Sequence, residues 1–317
     1  MSIKNSIKNI IVAIISFCLN KSIIKMLCYE RYFKVWEKRG IHITPVHYYQ
    51  PIPDTRTLND DLWVKRSELT GIDMNRQGQI SILEEFVSGY KNEYEDLPRH
   101  KTSIPHQFYV NNGTFESVDC EILYCMIRHF KPKMIVEIGS GNSTCLSAQA
   151  VLVNEEVAGI NTNLIAFEPF PNKVLKAGFP GLSSLVEKRV EELDLAVFSE
   201  LRENDILFID SSHILKIGND VQRLYLEVLP GLRKGVIIHI HDIFLPTEYP
   251  KEAGLNRYRF WTEQYLLQAF LSFNNTFEVL WAGSYMHLNN PEKLEEAFSS
   301  YNEKERWPGS FWIRKIK

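Results

Sequence analysis

From Glu116 onward, short apolar runs alternate with helix-like stretches, and that alternation constrains the fold of this chain more than any other feature. The runs are "MIVEIG" (134–139), "NLIAFEP" (163–169), "LVEKRV" (185–190), "DILFID" (205–210), "GVIIHIHD" (235–242), "FEVLWAG" (277–283) and "SFWIRKI" (310–316). Runs of this length, separated by stretches long enough for a crossover helix, predict an α/β domain built on a mostly parallel sheet. Helices are expected to start near Ser143, Asn172, Asp194, Ile217 and Arg259.

Upstream of Glu116 no such alternation exists, which divides the chain into residues 1–28, 29–115 and 116–317. The first part holds "IIVAIISFCL" (Ile10 to Leu19), flanked by Lys4 and Lys8 before it and Lys21 and Lys25 after it. Ten apolar residues are too few to span a bilayer, which takes about 20. No clear small-residue cleavage site follows, so a helix at a membrane surface is expected, apolar face down and amines at the headgroups, or else a helix packed on protein. The middle part reads as an ordered accessory or lid region: "ITPVHYYQPIPDTRTLNDDLW" is dense in prolines, aspartates and aromatics. It closes with a helix over "GQISILEEFVSGYKNEYEDL", whose Ile80, Leu83, Phe86, Val87 and Tyr90 fall at helical spacing.

In open α/β sheets ligands bind at the carboxyl ends of the strands, so the polar residues ending each run carry the chemistry. The first run ends in Glu137, Gly139 and Gly141, followed by "NST", whose asparagine or serine can cap the next helix. Glycines let a backbone pass close under a ligand. The second run ends in Glu168, about where nucleotide folds keep a carboxylate for ribose hydroxyls. Acids of the third, Glu191, Glu192 and Asp194, are more readily read as solvated. The fourth ends in Asp210 with His213 after it, and the fifth in His241 and Asp242. If these two runs are neighbours, two carboxylates and two imidazoles converge; hard divalent cations take the oxygens, and an imidazole ligand shifts the preference towards manganese, iron or zinc. His213, just past a strand-terminal aspartate, is suited to take a proton from a hydroxyl, whereas His239 is expected to be buried and locally hydrogen-bonded.

These residues resemble the class I S-adenosylmethionine-dependent methyltransferases, in the branch with catechol O-methyltransferase and bacterial sugar O-methyltransferases. "VEIGSGNST" looks like the first motif of that family, with Ser143 where a third glycine is common, and "DSSH" looks like its sugar-modifying members. The resemblance covers roughly 116–317 and implies a Rossmann-like sheet with an antiparallel last strand, "GSFWIRKIK", inserted at the sheet edge. It implies that Glu137, Gly139, Ser140, Gly141, Ser143, Glu168 and Asp210 surround S-adenosylmethionine, Glu137 near the methionine amino group and Glu168 at the ribose. It further implies Asp210 and Asp242 as ligands of Mg2+ or another divalent metal, with His241 replacing one acid, and His213 as catalytic base. The reaction implied is O-methylation of a small-molecule or glycan acceptor, of the kind used in polysaccharide synthesis. "HQFYVNNGTF" (106–115) is expected near the donor, and Tyr48, Tyr49, Phe108 and Tyr109 are expected to stack on the acceptor or to pack.

Composition narrows the partners. A net charge of −3 with 24% charged residues gives no general pull towards nucleic acid. Five cysteines without paired short spacing argue against a zinc site or disulfide framework, so a cytoplasmic setting is expected, at the inner face of the membrane if the first 28 residues bind lipid. The oligomeric state is left open, a homo-oligomer included. Two rival readings use the same features: an NAD-dependent oxidoreductase, which normally wants G-x-G-x-x-G where "GSGNST" lacks the last glycine, and an inert binding module of this fold.

Overall fold

The computed structural model describes residues 3–317, with side chains from residue 8. Residues 1 and 2 of the expected amphipathic segment and the Lys4 side chain lie outside that part. The chain forms two compact units that meet in sequence after Asn59, so residues 60–115, read above as accessory, belong to the larger unit.

The smaller unit holds a helix, Ile3–Cys18, and a second, Lys21–Leu27, capped by Asn20, whose side chain accepts from the amides of Ser22 and Ile23. The two meet at a bend of 96°. Ile10, Ile11, Val12, Ile14 and Ile15 are all at least half exposed, and Phe17 is 92% exposed. At about 100° per residue these six side chains wrap more than half of the helix, leaving a narrow strip for Asn9 and Ser16. That is a wider apolar surface than the one-faced helix expected. Among the described residues no single helix is long and apolar enough to cross a membrane; only the bent pair, taken together, reaches that length.

The larger unit, Asp60–Lys317, is built on a seven-stranded sheet. Its strands are β1 (Met134–Ile138), β2 (Asn163–Phe167), β3 (Ser184–Val186), β4 (Ile206–Ile209), β5 (Ile237–Ile240), β6 (Phe277–Ala282) and β7 (Phe311–Lys315), in the order β3-β2-β1-β4-β5-β7-β6. The first five are parallel, and β7 runs antiparallel to both β5 and β6. Each apolar run therefore forms a strand, and β1, β4 and β5 are fully or almost fully buried, as parallel strands covered on both faces must be. The position of β7 differs from expectation: it lies inside the sheet, between β5 and β6, and β6 is the edge. Ile313 on one face of β7 and Trp312 on the other are both fully buried, so the interior place follows from apolarity on both faces.

Two apolar layers sandwich the sheet. One gathers Leu83, Phe86 and Tyr94 of the helix Arg76–Glu95 with Ile122, Leu123 and Met126 of the helix Asp119–Phe130. The helix anticipated from residue 78 thus packs into this core, and Gln79 ties it to the sheet by accepting from the Ala282 amide. Phe108 is buried there too, whereas Tyr48 and Tyr49 of the smaller unit are exposed. The other layer packs Leu207, Ile209, Ile238 and Ile240 against Leu224, Val228 and Leu267.

Candidate active site

Strand register fixes the site. Ile138 pairs with Phe167 and Ile209, and Ile209 with Ile240, so the next residues along, Gly139, Glu168, Asp210 and His241, stand in one row. The ladder continues through that row: the amides of Gly139, Asp210 and His241 donate to Phe167, Ile138 and Ile209. Four strands end together, which is what places their acids and imidazoles side by side.

The loop after β1 depends on its first glycine. Gly139 has φ +79°, and a Cβ there would stand 1.9 Å from the Asp210 carbonyl oxygen, so the residue is demanded by the neighbouring strand. Gly141 is different, with extended backbone and open space where a side chain would be. It opens the helix Asn142–Ala158, and its amide donates to Thr144 Oγ1. Neither Asn142 nor Ser143 caps that helix by accepting from an amide, as expected above. Asn142 instead donates to Asn112 and Thr114, and the Ser143 hydroxyl donates to Glu137 Oε1 at 2.6 Å.

Glu137 is wholly buried beneath the loop, and its second oxygen, Oε2, has no partner; the buried hydroxyl of Ser140 has none either. Burial pushes the Glu137 carboxyl up to about 8, against the pull of its hydrogen bond from Ser143. Glu168 is engaged by backbone, with Oε2 accepting from Ser140 and Oε1 from Phe170. It braces the loop.

One cavity of about 630 Å³ opens at this edge. Its lining includes Ser140, Gly141 and Ser143 from the loop, and Asp210, His241 and Asp242 from the ends of β4 and β5. Thr114 and Phe115 line it as well, which places the end of the 106–115 segment at the site. Glu137, Gly139, Glu168 and His213 do not line it; they stand behind those that do. Glu191, Glu192 and Asp194 lie away from it.

His213 is 7% exposed and lies between carboxylates. Its Nδ1 bonds Glu263 Oε2 at 2.9 Å, and its Nε2 lies 3.2 Å from Asp210 Oδ1 and 3.7 Å from Asp242 Oδ2. Burial opposes a charge on the ring, but Asp210 and Glu263 outweigh it and raise its proton affinity well above the ordinary histidine value. Burial likewise opposes ionisation of Asp210, and the hydrogen bond from His213 overcomes it, holding that carboxyl below its usual range. Both His213 (φ 59°) and Asp242 (φ 55°) sit in the left-handed region, uncommon for non-glycine residues and found at strained functional positions. His241 points its ring towards Phe115 and lies 3.9 Å from Asp242 through Nε2, with Nδ1 unpartnered.

The residues of the implied metal set line one cavity, but the space between its two aspartates is taken. The Nε2 edge of His213 already occupies the space between Asp210 and Asp242, a cationic bridge where an ion would have to sit. Among the described residues no three His, Cys, Asp or Glu side chains are grouped to hold a metal. His239 also departs from expectation: it is buried, but it stacks on Phe208 at 4.1 Å with neither nitrogen hydrogen-bonded, and burial keeps its pKa well below the ordinary value.

Four residues of the site carried no signal of their own in the sequence. Glu263 lies fifty positions from its partner His213. Trp261, 5.0 Å from the His213 ring, lines the cavity with Arg257 and Arg259, on a loop without periodicity.

Residues 136–243, the β1-to-β5 part of the sheet, match the model of a family described as a methyltransferase domain. An uncharacterised protein of Archaeoglobus fulgidus is 32% identical over 192 residues, 58% of this chain and 84% of the relative. Among solved structures, the plantazolicin methyltransferase BamL, in complex with a desmethyl substrate analogue and SAH, aligns at 15% identity, covering 77% of this chain and all of that one, with TM-score 0.38. An O-methyltransferase from Bacillus cereus in complex with SAH aligns at 15% identity over 75% of this chain and 91% of its own, with TM-score 0.34.

Proposed function

We propose that this chain, whose residues 136–243 match a methyltransferase domain, is a class I S-adenosylmethionine-dependent methyltransferase that methylates a hydroxyl oxygen, that of a sugar or glycan, at the cavity where the β1 loop meets the ends of β4 and β5. That convergence carries the reading: donor loop and proton-handling groups share one space of a size that suits a cofactor and a small acceptor together. The cofactor fits the residues present. Glu137 Oε2 and Ser140 Oγ are buried polar atoms in want of partners, and the space over Gly141 is open. Glu137 would face the methionine ammonium, Ser140 and Gly141 the methionine portion, and Glu168, through its remaining lone pairs, the ribose. When bound, S-adenosylmethionine supplies an activated methyl for in-line transfer.

The chain's own residues do the rest. Asp210 and Asp242 face the cavity and orient the hydroxyl, while Trp261 offers an indole to a sugar ring. The hydroxyl proton passes to Nε2 of His213 in its neutral form, with Nδ1–H held by Glu263. No step here runs through a metal, since His213 fills the place an ion would need. Methyl transfer from S-adenosylmethionine to a panel of sugars, followed by NMR of the products, tests the reading. The expected product is an O-methyl sugar, formed at the same rate with and without EDTA. Label on nitrogen or on the protein itself would overturn it, and failure to bind S-adenosylhomocysteine would put the inert-module reading in its place.

The smaller unit supports a second element of the proposal, contact with a lipid bilayer. Its exposed isoleucines and Phe17 need an apolar phase, Lys8, Lys21 and Lys25 flank them, and the sequence has no acid before Glu30. The full chain is expected to co-sediment with phosphatidylglycerol-containing vesicles more than with phosphatidylcholine alone, and Ile11→Asp with Ile14→Asp to stay in the supernatant. Undiminished sedimentation of that double variant would defeat the idea.

A further inference from the structure

The wall of the cavity formed by residues 250–261 carries two arginines against one acid, Glu252, and this bears on the acceptor. Arg257 and Arg259 both line the cavity and both are exposed. Arg99, Arg128, Arg223 and Arg306 of the larger unit each lie within 4.0 Å of a carboxylate. Arg259 has no such partner among the described residues; its guanidinium lies over the Trp261 ring, 5.3 Å from the centroid. Arg257 forms a long ion pair with Glu252, which lines the same wall, at 3.7 Å and without a side-chain hydrogen bond.

The backbone is shaped to present both. Tyr258, between them, has φ 53°, a left-handed conformation unusual for a bulky residue, and is 67% exposed. The reversal sends Tyr258 to solvent while its two neighbours line the cavity. The Arg259 amide then donates to the Ala253 carbonyl, closing the loop. Trp261 is held in turn between His213, at 5.0 Å, and Tyr249, at 5.5 Å. The cavity therefore has carboxylates at the strand ends, where a hydroxyl proton is to be handled, and beside an aromatic platform one guanidinium without a carboxylate partner, that of Arg259, and one only loosely paired, that of Arg257.

We infer that the acceptor carries an anionic group, a phosphate or carboxylate, bound by Arg257 and Arg259 while its hydroxyl lies at Asp210 and Asp242. The inference rests on the reading of this cavity as the donor and acceptor site, and it narrows the substrate class to acidic or phosphorylated compounds. Guanidinium suits that task, since its planar fork of donors matches both oxyanions and keeps its charge at every working pH.

The test uses the full chain saturated with S-adenosylhomocysteine and titrated calorimetrically with glucose, glucose 1-phosphate, glucuronate and phenyl phosphate. Either charged sugar is expected to bind at least about tenfold more tightly than glucose, with a preference that shrinks as salt is added. In Arg257→Ala with Arg259→Ala the preference should vanish while affinity for S-adenosylhomocysteine stays unchanged. Equal binding of neutral and charged sugars would overturn the inference. So would a matching loss of S-adenosylhomocysteine affinity in the double variant, which would assign the arginines to the carboxylate of the cofactor. Arginine-dependent binding of phenyl phosphate with no sugar bound would keep the anion site and remove only the sugar.

Discussion

Replacing His213 by glutamine is expected to leave S-adenosylhomocysteine binding intact and to lower kcat by about 10²–10⁴-fold, the range for losing a positioned general base. Glutamine retains an amide that can donate towards Glu263 but cannot accept and hold the hydroxyl proton. The ring in the ligand-free protein faces carboxylates through both nitrogens and is charged. It can act as acceptor only in its neutral form, which the positive charge of a bound S-adenosylmethionine beside Asp210 would favour. His213→Ala is a harsher change, leaving buried Glu263 and the cavity aspartates without their common partner, so its Tm should fall further than that of the glutamine variant. Single-turnover methyl transfer, with a binding titration as control, separates chemistry from folding. Wild-type turnover in His213→Gln would remove this residue from the mechanism.

Glu137→Gln is expected to stabilise the ligand-free protein and to ruin its cofactor site. With the Glu137 carboxyl raised from 4.5 to about 8, the folded chain keeps a proton that the unfolded chain gives up at lower pH. Stability is therefore fully present below about pH 4.5 and falls as pH rises to about 8, by an upper bound of about 5 kcal/mol. Glutamine removes that dependence, less about 1–3 kcal/mol for an imperfectly satisfied buried amide. The net gain should be a few kcal/mol at pH 8 and nothing, or a small loss, at pH 4.5, read from denaturant melts at the two values. Binding should move the opposite way. A cofactor ammonium beside Glu137 favours the carboxylate, so S-adenosylhomocysteine should bind with release of nearly one proton at pH 7, and the glutamine variant should release none and bind about 10²-fold more weakly. Proton release appears as a buffer dependence of the calorimetric heat. Equal release by both proteins would mean that Glu137 does not face the ammonium.

How much of this was legible beforehand depends on the range of the interactions. Buried parallel strands read as continuous apolar runs, so β1, β4 and β5 could be placed from composition alone, and Glu137, Asp210 and His241 followed as residues at or near their ends. Asp210, His241 and Asp242 do share one cavity, as four aligned strands require. What lies across the fold was not legible. The insertion of β7 between β5 and β6 depends on pairing between distant segments, and the posture of His213 depends on Glu263, on a helix whose spacing says only that it packs. The metal expectation finds no support for the same reason: two strand-terminal aspartates suggest an ion, and an imidazole lies between them. The arginine wall sits on an irregular loop held by backbone hydrogen bonds and one left-handed tyrosine, neither of which has a periodic signature.

The antiparallel insertion of β7 also sets an order of events during synthesis. Strand β5, which delivers His241 and Asp242, has β4 on one side from the moment it emerges, but its other edge stays bare until residues 311–315 leave the ribosome. Through that interval the nascent chain exposes an unpaired apolar strand edge, while the N-terminal helix has long been free to reach a lipid surface. The row of strand ends that forms the cavity is therefore complete only when the last strand has been threaded into the sheet.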